Sequence, residues 1–256
     1  MRFHPLVVLL ASAMALGLGP ARASITVDTV RCDVDSTYST RFDAREIAFT
    51  NAETKRVIRL LAGGVIEVDG RALHLNARDR AHAAELERAI RDLIPEAKAL
   101  AVDAVGIAFE AVGHVSSGFA SDAGAARESA MRIARTAEEL KRAIKARDDW
   151  GPQSEQEVSR LIEGSVGSLI GEMVGNITAQ AIKVALSGDE AAVAELEARA
   201  GSIEANVEKA IGKHANELEA RADALCQRAH DLDRIEGQIS ARLPDGSPLD
   251  LIQVQR

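Results

Sequence analysis

Apolar and polar residues alternate with a period of two through the first third of the chain, and with a period near 3.6 through the rest. Ile47 and Phe49 alternate with Glu46 and Ala48, Ile58 and Leu60 flank Arg59, Ile66 and Val68 flank Glu67, and Leu73 and Leu75 flank His74. Each stretch has the pattern of a half-buried strand. Turn signals separate them at 51–54, at Ala62-Gly63-Gly64 and at Asp69-Gly70, the last a cue for a tight hairpin. ITVDTV (25–30) and STYSTRF (36–42) are β-prone but weaker in pattern. The expectation is an antiparallel meander of four or five short strands whose buried face needs cover.

Helical periodicity begins after Asn76. Leu86, Ile90, Leu93 and Ile94 mark a first helix that Pro95 should stop. Residues 97–115 form a second, Ala-rich helix that ends in the loop SSGFASDAG, and 125–145 a third that DDWGPQ breaks. Residues 155–187 form a fourth, and Ser187-Gly188-Asp189 reads as a stop followed by a cap. Fifty residues from Glu190 then run with only isolated glycines. Within them Ile211, Leu218, Leu225, Leu232 and Ile239 recur every seven positions, with Ala215, Ala222 and Ala229 four further on. That is one seam of a long antiparallel or coiled-coil-like pairing. The closing RLPDGSPLDLIQVQR holds a turn and a short LIQV strand that returns to the sheet edge in this reading. The fold expected is α+β: a small N-terminal antiparallel meander packed on a larger helical body with one long C-terminal helix. Its parts are a leader at 1–23, a β-rich head at 24–76, a helical body at 77–240 and a tail at 241–256, with 24–256 as one domain.

The fourth helix carries Gly164, Gly167, Gly171 and Gly175. At about 100° per residue these fall within a strip about 80° wide, with Leu169, Ile170, Met173, Val174 and Ile177 on the far side and Ser165, Glu172, Asn176 and Lys183 on a third face. Small residues at this spacing also bring membrane helices together. Here Glu163, Glu172 and Lys183 interrupt the segment, which otherwise needs about 20 apolar residues to span a bilayer. The expectation is therefore a groove in which another helix, 97–115, packs closely in water.

The first residues, MRFHPLVVLLASAMALGLGPARAS, have the anatomy of a secretory leader: Arg2, an apolar run from Leu6 to Leu18, and a small-x-small site that places cleavage between Ala23 and Ser24. An arginine directly before Cys32 argues against lipidation there. No segment after Ala23 reads as transmembrane, and the expected location is the periplasm, or the exterior. Removing Arg2 and Arg22 with the leader takes the formal net charge from −8 to −10. An acidic chain without a basic run repels phosphate backbones, which excludes nucleic-acid binding as a main role. Aromatic residues are only 3%, so the core must be aliphatic, which favours helix-on-helix packing. The two cysteines, Cys32 and Cys226, are expected to be bridged in an oxidising compartment, with two buried free thiols as the alternative.

Candidate chemistry is sparse. The sequence has no HExxH, no CxxC, no phosphate-binding glycine loop and no GxSxG elbow. GHVSSG at 113–118 is only loosely elbow-like. His74, Asp79 and His82 are the one set that a strand–helix junction would bring together for a metal, but scattered surface histidines are commoner. His214 and Glu217 read as one turn of an exposed helix face. Trp150 is either an exposed partner contact or a plug over the bundle. No catalytic residue, metal or cofactor is assigned.

Cys32 in RCDV, the hairpin GGVIEVDGRALHLNARD leading straight into a helix, the glycine-bearing helix and Cys226 together resemble the YggN-like family, periplasmic proteins of Gram-negative bacteria with no assigned function. The resemblance implies export and a two-part architecture, and it carries no activity and no catalytic residues. The function expected is a non-enzymatic envelope protein that binds an unknown protein or ligand. A carrier of an apolar ligand or lipid in the helical body is the alternative, and a hydrolase with an unrecognised site the third.

Overall fold

In the computed structural model, residues 34–150 and 152–254 are described. The leader, its cleavage site at Ala23 and Ser24, the ITVDTV stretch and Cys32 lie outside them. Five strands follow β1 (Val34–Asp35): β2 (Tyr38–Phe42), β3 (Glu46–Asn51), β4 (Val57–Leu61), β5 (Val65–Val68) and β6 (Arg71–Ala72). Then come α1 (Ala77–Gly118), α2 (Ala123–Ala146), β7 (Asp149–Trp150), α3 (Pro152–Ser187), α4 (Glu190–Glu236) and β8 (Gln253–Val254).

Among the described residues, six strands form one antiparallel sheet in the order β6-β5-β4-β3-β2-β7. Its register builds two apolar rows across the strands. Ile47, Leu60 and Ile66 stand opposite one another in one row, and Phe49, Ile58 and Val68 in the other. All six are buried, and the residues between them are not. The alternation read in the sequence is thus the inside–outside alternation of the pleat. At the hairpin tip Asp69 and Gly70 both take positive φ (50° and 78°), as a tight two-residue turn requires.

The buried face is covered by the first turns of α1, the end of α4 and the tail. Ala83, Leu86 and Ile90 of α1 share one apolar core with the sheet, with Leu232 and Ile235 of α4, and with Ile239, Leu243, Leu249 and Leu251. Full burial of such side chains stabilises by about 1.5–3 kcal/mol each. The sheet and α1 approach closely at Gly64, between β4 and β5. It is buried with φ +75°, and a Cβ there would lie 2.0 Å from the backbone oxygen of Arg80. The sheet is pressed onto the helix backbone at a point where only glycine fits.

α1 begins at a reciprocal cap. Asn76 accepts from the Asp79 N–H at 2.9 Å and donates through Nδ2 to the Asp79 carboxylate at 2.8 Å. The helix then runs through Pro95 instead of ending there, so the expected first and second helices are one. Proline deletes one backbone donor and crowds the carbonyl four residues back. Here Pro95 is exposed, so water can reach the carbonyl it leaves without a partner. Beyond it, Val105, Phe109 and Val112 form a second core with Ile133, Ala137, Leu140 and Ile144 of α2.

α4 packs antiparallel to α1, and the pairing is marked by ion pairs from Arg228 to Glu96 and from Arg221 to Asp103 (2.6 Å). This is the long pairing that the seven-residue recurrence implied. Leu232, Ile239 and Ala229 of that seam are buried, and Ile211, Leu218 and Leu225 are half-buried. Ile203, further up α4, sits on Gly118 so closely that a Cβ there would meet its Cδ1 at 2.3 Å.

DDWGPQ contains β7, whose half-buried Trp150 pairs with Thr40 at the edge of β2. One expectation fails at the chain's other end. The tail strand does not join the main sheet. β8 pairs instead with β1, Val34 opposite Val254, as a separate two-stranded ribbon.

Candidate functional site

The fourth-helix glycines face outward. A Cβ at Gly164, Gly167, Gly171 or Gly175 would meet nothing within 4 Å among the described residues, and all four positions are exposed. The expected groove packed against 97–115 is therefore corrected. α3 turns its opposite side inward: Val166 and Leu169 pack on the core between α1 and α2. Glu172 pairs with Arg132 at 2.6 Å, and the Gln180 amide donates to the Phe119 carbonyl at 2.7 Å. The reason is area. The large apolar side chains lie about 180° from the glycines, and burying them removes far more surface from water than burying a bare backbone.

The outward strip does not stay small. Continued at about 100° per residue, it meets Ile182 and then Leu186, which are 54% and 83% exposed. Val174 and, across the turn at Gly188, Val193 are also large, apolar and exposed. Gly188 takes φ +65°, and Asp189 caps α4 by accepting from the Ala191 and Ala192 N–H groups. The arm formed by α3 and the start of α4 thus ends in a defined turn flanked by exposed aliphatic residues. Between 189 and 209 the sequence has six acidic residues and two basic ones.

A cleft of about 440 Å³ lies between α1, α2 and α4. Val102, Ile107 and Leu218 supply apolar walls, Glu110, Lys141 and Glu217 charged ones, and the Arg221–Asp103 pair spans from α4 to α1. Gly106 leaves room for the Lys141 side chain, whose Nζ would lie 3.7 Å from a Cβ there. His214 lines the cleft beside Glu217.

The metal set considered from the sequence is not assembled. His74 is exposed on the head. Asp79 is buried and taken up by Asn76 and by Ser240, whose N–H and hydroxyl donate to its Oδ1 at 2.9 and 3.1 Å. His82 approaches Glu85 at 3.8 Å. No group of metal-binding side chains occurs among the described residues. GHVSSG lies inside the last turns of α1, where the Ser117 hydroxyl donates to the His114 carbonyl and Ser116 and Ser129 share a hydrogen bond at 2.6 Å. A helical backbone cannot form a nucleophile elbow, which needs a strand-to-helix turn.

Sequence reasoning missed Glu236. It is 3% exposed, near the end of α4, and accepts from the Leu251 and Ile252 N–H groups at 2.7 and 3.1 Å. Burial outweighs those two donors and pushes its carboxyl up to about 7. Only its place seven residues after Ala229, next in the series Ala215, Ala222 and Ala229, hinted at burial. Among the described residues the helix long and apolar enough to cross a membrane is α1, with mean hydropathy 1.4 over its most apolar 18 residues and 11% of them buried. Here that helix is packed between α2 and α4, with Asp103 held by Arg221.

A family model described as "Protein of unknown function (DUF2884)" matches residues 32–252. No curated protein and no solved structure matches the chain.

Proposed function

The chain belongs to the DUF2884 family of proteins of unknown function, and from its own residues we propose that it is an exported, non-enzymatic envelope protein that binds another protein through the α3–α4 arm. The observation that carries this reading is the apolar tip, with Leu186 and Ile182 exposed at the end of an outward glycine strip that meets nothing among the described residues. Monomeric proteins seldom leave large aliphatic residues grouped on one face without a use. The acidic excess on the first part of α4 favours a partner with an apolar patch rimmed by basic residues, and disfavours an anionic lipid surface. The leader anatomy and the YggN-like hairpin-and-cysteine arrangement support export to the periplasm, and the charges within α1 and α3 support a mature chain that remains outside the bilayer.

We further propose the Cys32–Cys226 bridge. Cys226 is buried on α4. Val34, two residues after Cys32, pairs with Val254 in the segment held by Glu236 of the same helix. Val34 is thereby held near the last residue of α4, ten residues after Cys226, which supports the bridge.

A second reading, a carrier, draws on the cleft between α1, α2 and α4, whose volume suits a small ligand. Its charged rim fits an amphipathic ligand better than a purely apolar one. The two readings separate in one experiment: recovery of partners from periplasm by the wild-type protein and by the Ile182→Lys/Leu186→Lys variant. The arm reading requires a discrete protein captured by the wild type and lost from the variant at unchanged melting temperature. Equal recovery by both proteins, or co-purified small molecules without any protein partner, overturns it.

A further inference from the structure

Both described ends of the chain meet at one carboxylate. Glu236 receives the N–H groups of Leu251 and Ile252. The Leu251 carbonyl accepts from the Ser36 hydroxyl at 2.7 Å, and β8 two residues on pairs with β1. The Ser36 hydroxyl in turn accepts from the Tyr38 N–H at the start of the main sheet. Leu251 is fully buried in the head core. We propose that Glu236 is the buckle of a proton-sensitive strap: residues 249–254 and the β1 segment they pair with are held to the end of α4 through this carboxylate, and its protonation sets how firmly both ends are fastened.

The physical case is the surroundings. A buried carboxylate needs an opposite charge or several donors to stay ionised. Glu236 has two backbone donors, and no Lys or Arg ion pair reaches it among the described residues. The charged neighbours on its own helix and on the strap, Asp233 and Asp250, repel a second negative charge. From β2 it is faced by Tyr38, behind which Arg56 is already engaged by Asp245 at 2.8 Å. On α1 the buried acid Asp79 is occupied by Ser240. Burial lifts the Glu236 carboxyl above its ordinary range, to about 7. A group that binds its proton more tightly in the fastened state stabilises that state most below the ordinary carboxylate pKa, and this stabilisation is lost as the pH rises through the raised value. Acid therefore tightens the strap, and passage through neutrality loosens it.

The test is amide NMR of the full mature protein. The Leu251 and Ile252 amide signals should titrate together with a midpoint near 7, and strap opening measured by hydrogen exchange, corrected for intrinsic rates, should increase roughly fifty- to a hundredfold between pH 5 and pH 8. Glu236→Gln keeps an acceptor for Leu251 and should flatten both profiles. Should that variant not fold, Asp250→Asn, which removes one repelling charge, should lower the midpoint. A midpoint in the ordinary carboxylate range, no titration at either amide, or pH dependence that survives Glu236→Gln overturns the proposal.

Discussion

Replacing Gly64 with alanine adds one methyl group at the place where the β4–β5 hairpin meets the backbone of α1. Two costs follow. The first is conformational: φ at this position is +75°, and a non-glycine residue in the left-handed region costs about 1–2 kcal/mol. The second is steric. The new Cβ would sit 2.0 Å from the Arg80 oxygen and 3.0 Å from both the Arg80 carbon and the Ala84 nitrogen. These are backbone atoms inside a helix, so no rotamer change relieves the contact, and overpacking of this kind costs about 1–3 kcal/mol. Reduced freedom of the unfolded chain returns about 0.4–1 kcal/mol. The net expectation is a loss of about 3 kcal/mol, or a fall in melting temperature of roughly 6–12 °C for a chain of this size. Gly63→Ala is the control. Its φ is +79°, but a Cβ there would meet nothing within 4 Å, so only the conformational cost applies. Urea denaturation of both variants at 25 °C separates the two contributions. If Gly64→Ala lost no more stability than Gly63→Ala, the hairpin would not rest on the helix backbone and the account of how the head is seated would be wrong.

Gly118→Ala meets the Cδ1 and Cγ1 of Ile203 at 2.3 and 2.4 Å. Because a side chain can swing away, the loss should be nearer about 1 kcal/mol, and Ile203→Val should recover part of it in a double-mutant cycle. Gly171→Leu points into open space, so thermal melting should show a change within about 0.5 kcal/mol or a gain of up to about 1 kcal/mol from helix propensity; a clear loss would mean that the strip is covered. Reduction of the oxidised protein should lower the melting temperature if Cys32 and Cys226 are joined, since a bridge closing a loop this long contributes up to about 5 kcal/mol in the chain-entropy account. Two thiols titrating in the unfolded, unreduced protein would remove that expectation.

The head was readable because its chemistry is local. Ile47 and Phe49, Ile58 and Leu60, and Ile66 and Val68 each alternate on one face, and Asp69-Gly70 names its own turn. The α4 seam was readable for the same reason, but its partner was not, because nothing in a seven-residue recurrence says which helix lies opposite. Pro95 misled because a local rule about proline competes with burial on both sides of it. Once α1 is held by the sheet at one end and by α2 and α4 further along, an exposed proline is carried within a continuous helix. The glycine strip misled differently. Its spacing defines a face but not the side of the bundle that the face takes, and the larger residues opposite it had more surface to bury. The hold of Glu236 on the tail was not legible because its partners are backbone groups fifteen and sixteen residues away, which no side-chain pattern records.

The central claim is that the tip of the α3–α4 arm meets a protein. A photo-crosslinking side chain placed at Leu186 in cells, with the same probe at exposed His74 on the head as control, tests it most directly. The account predicts one discrete protein adduct from position 186, absent from position 74. Adducts with lipid, the same adducts from both positions, or no adduct at 186 would contradict it.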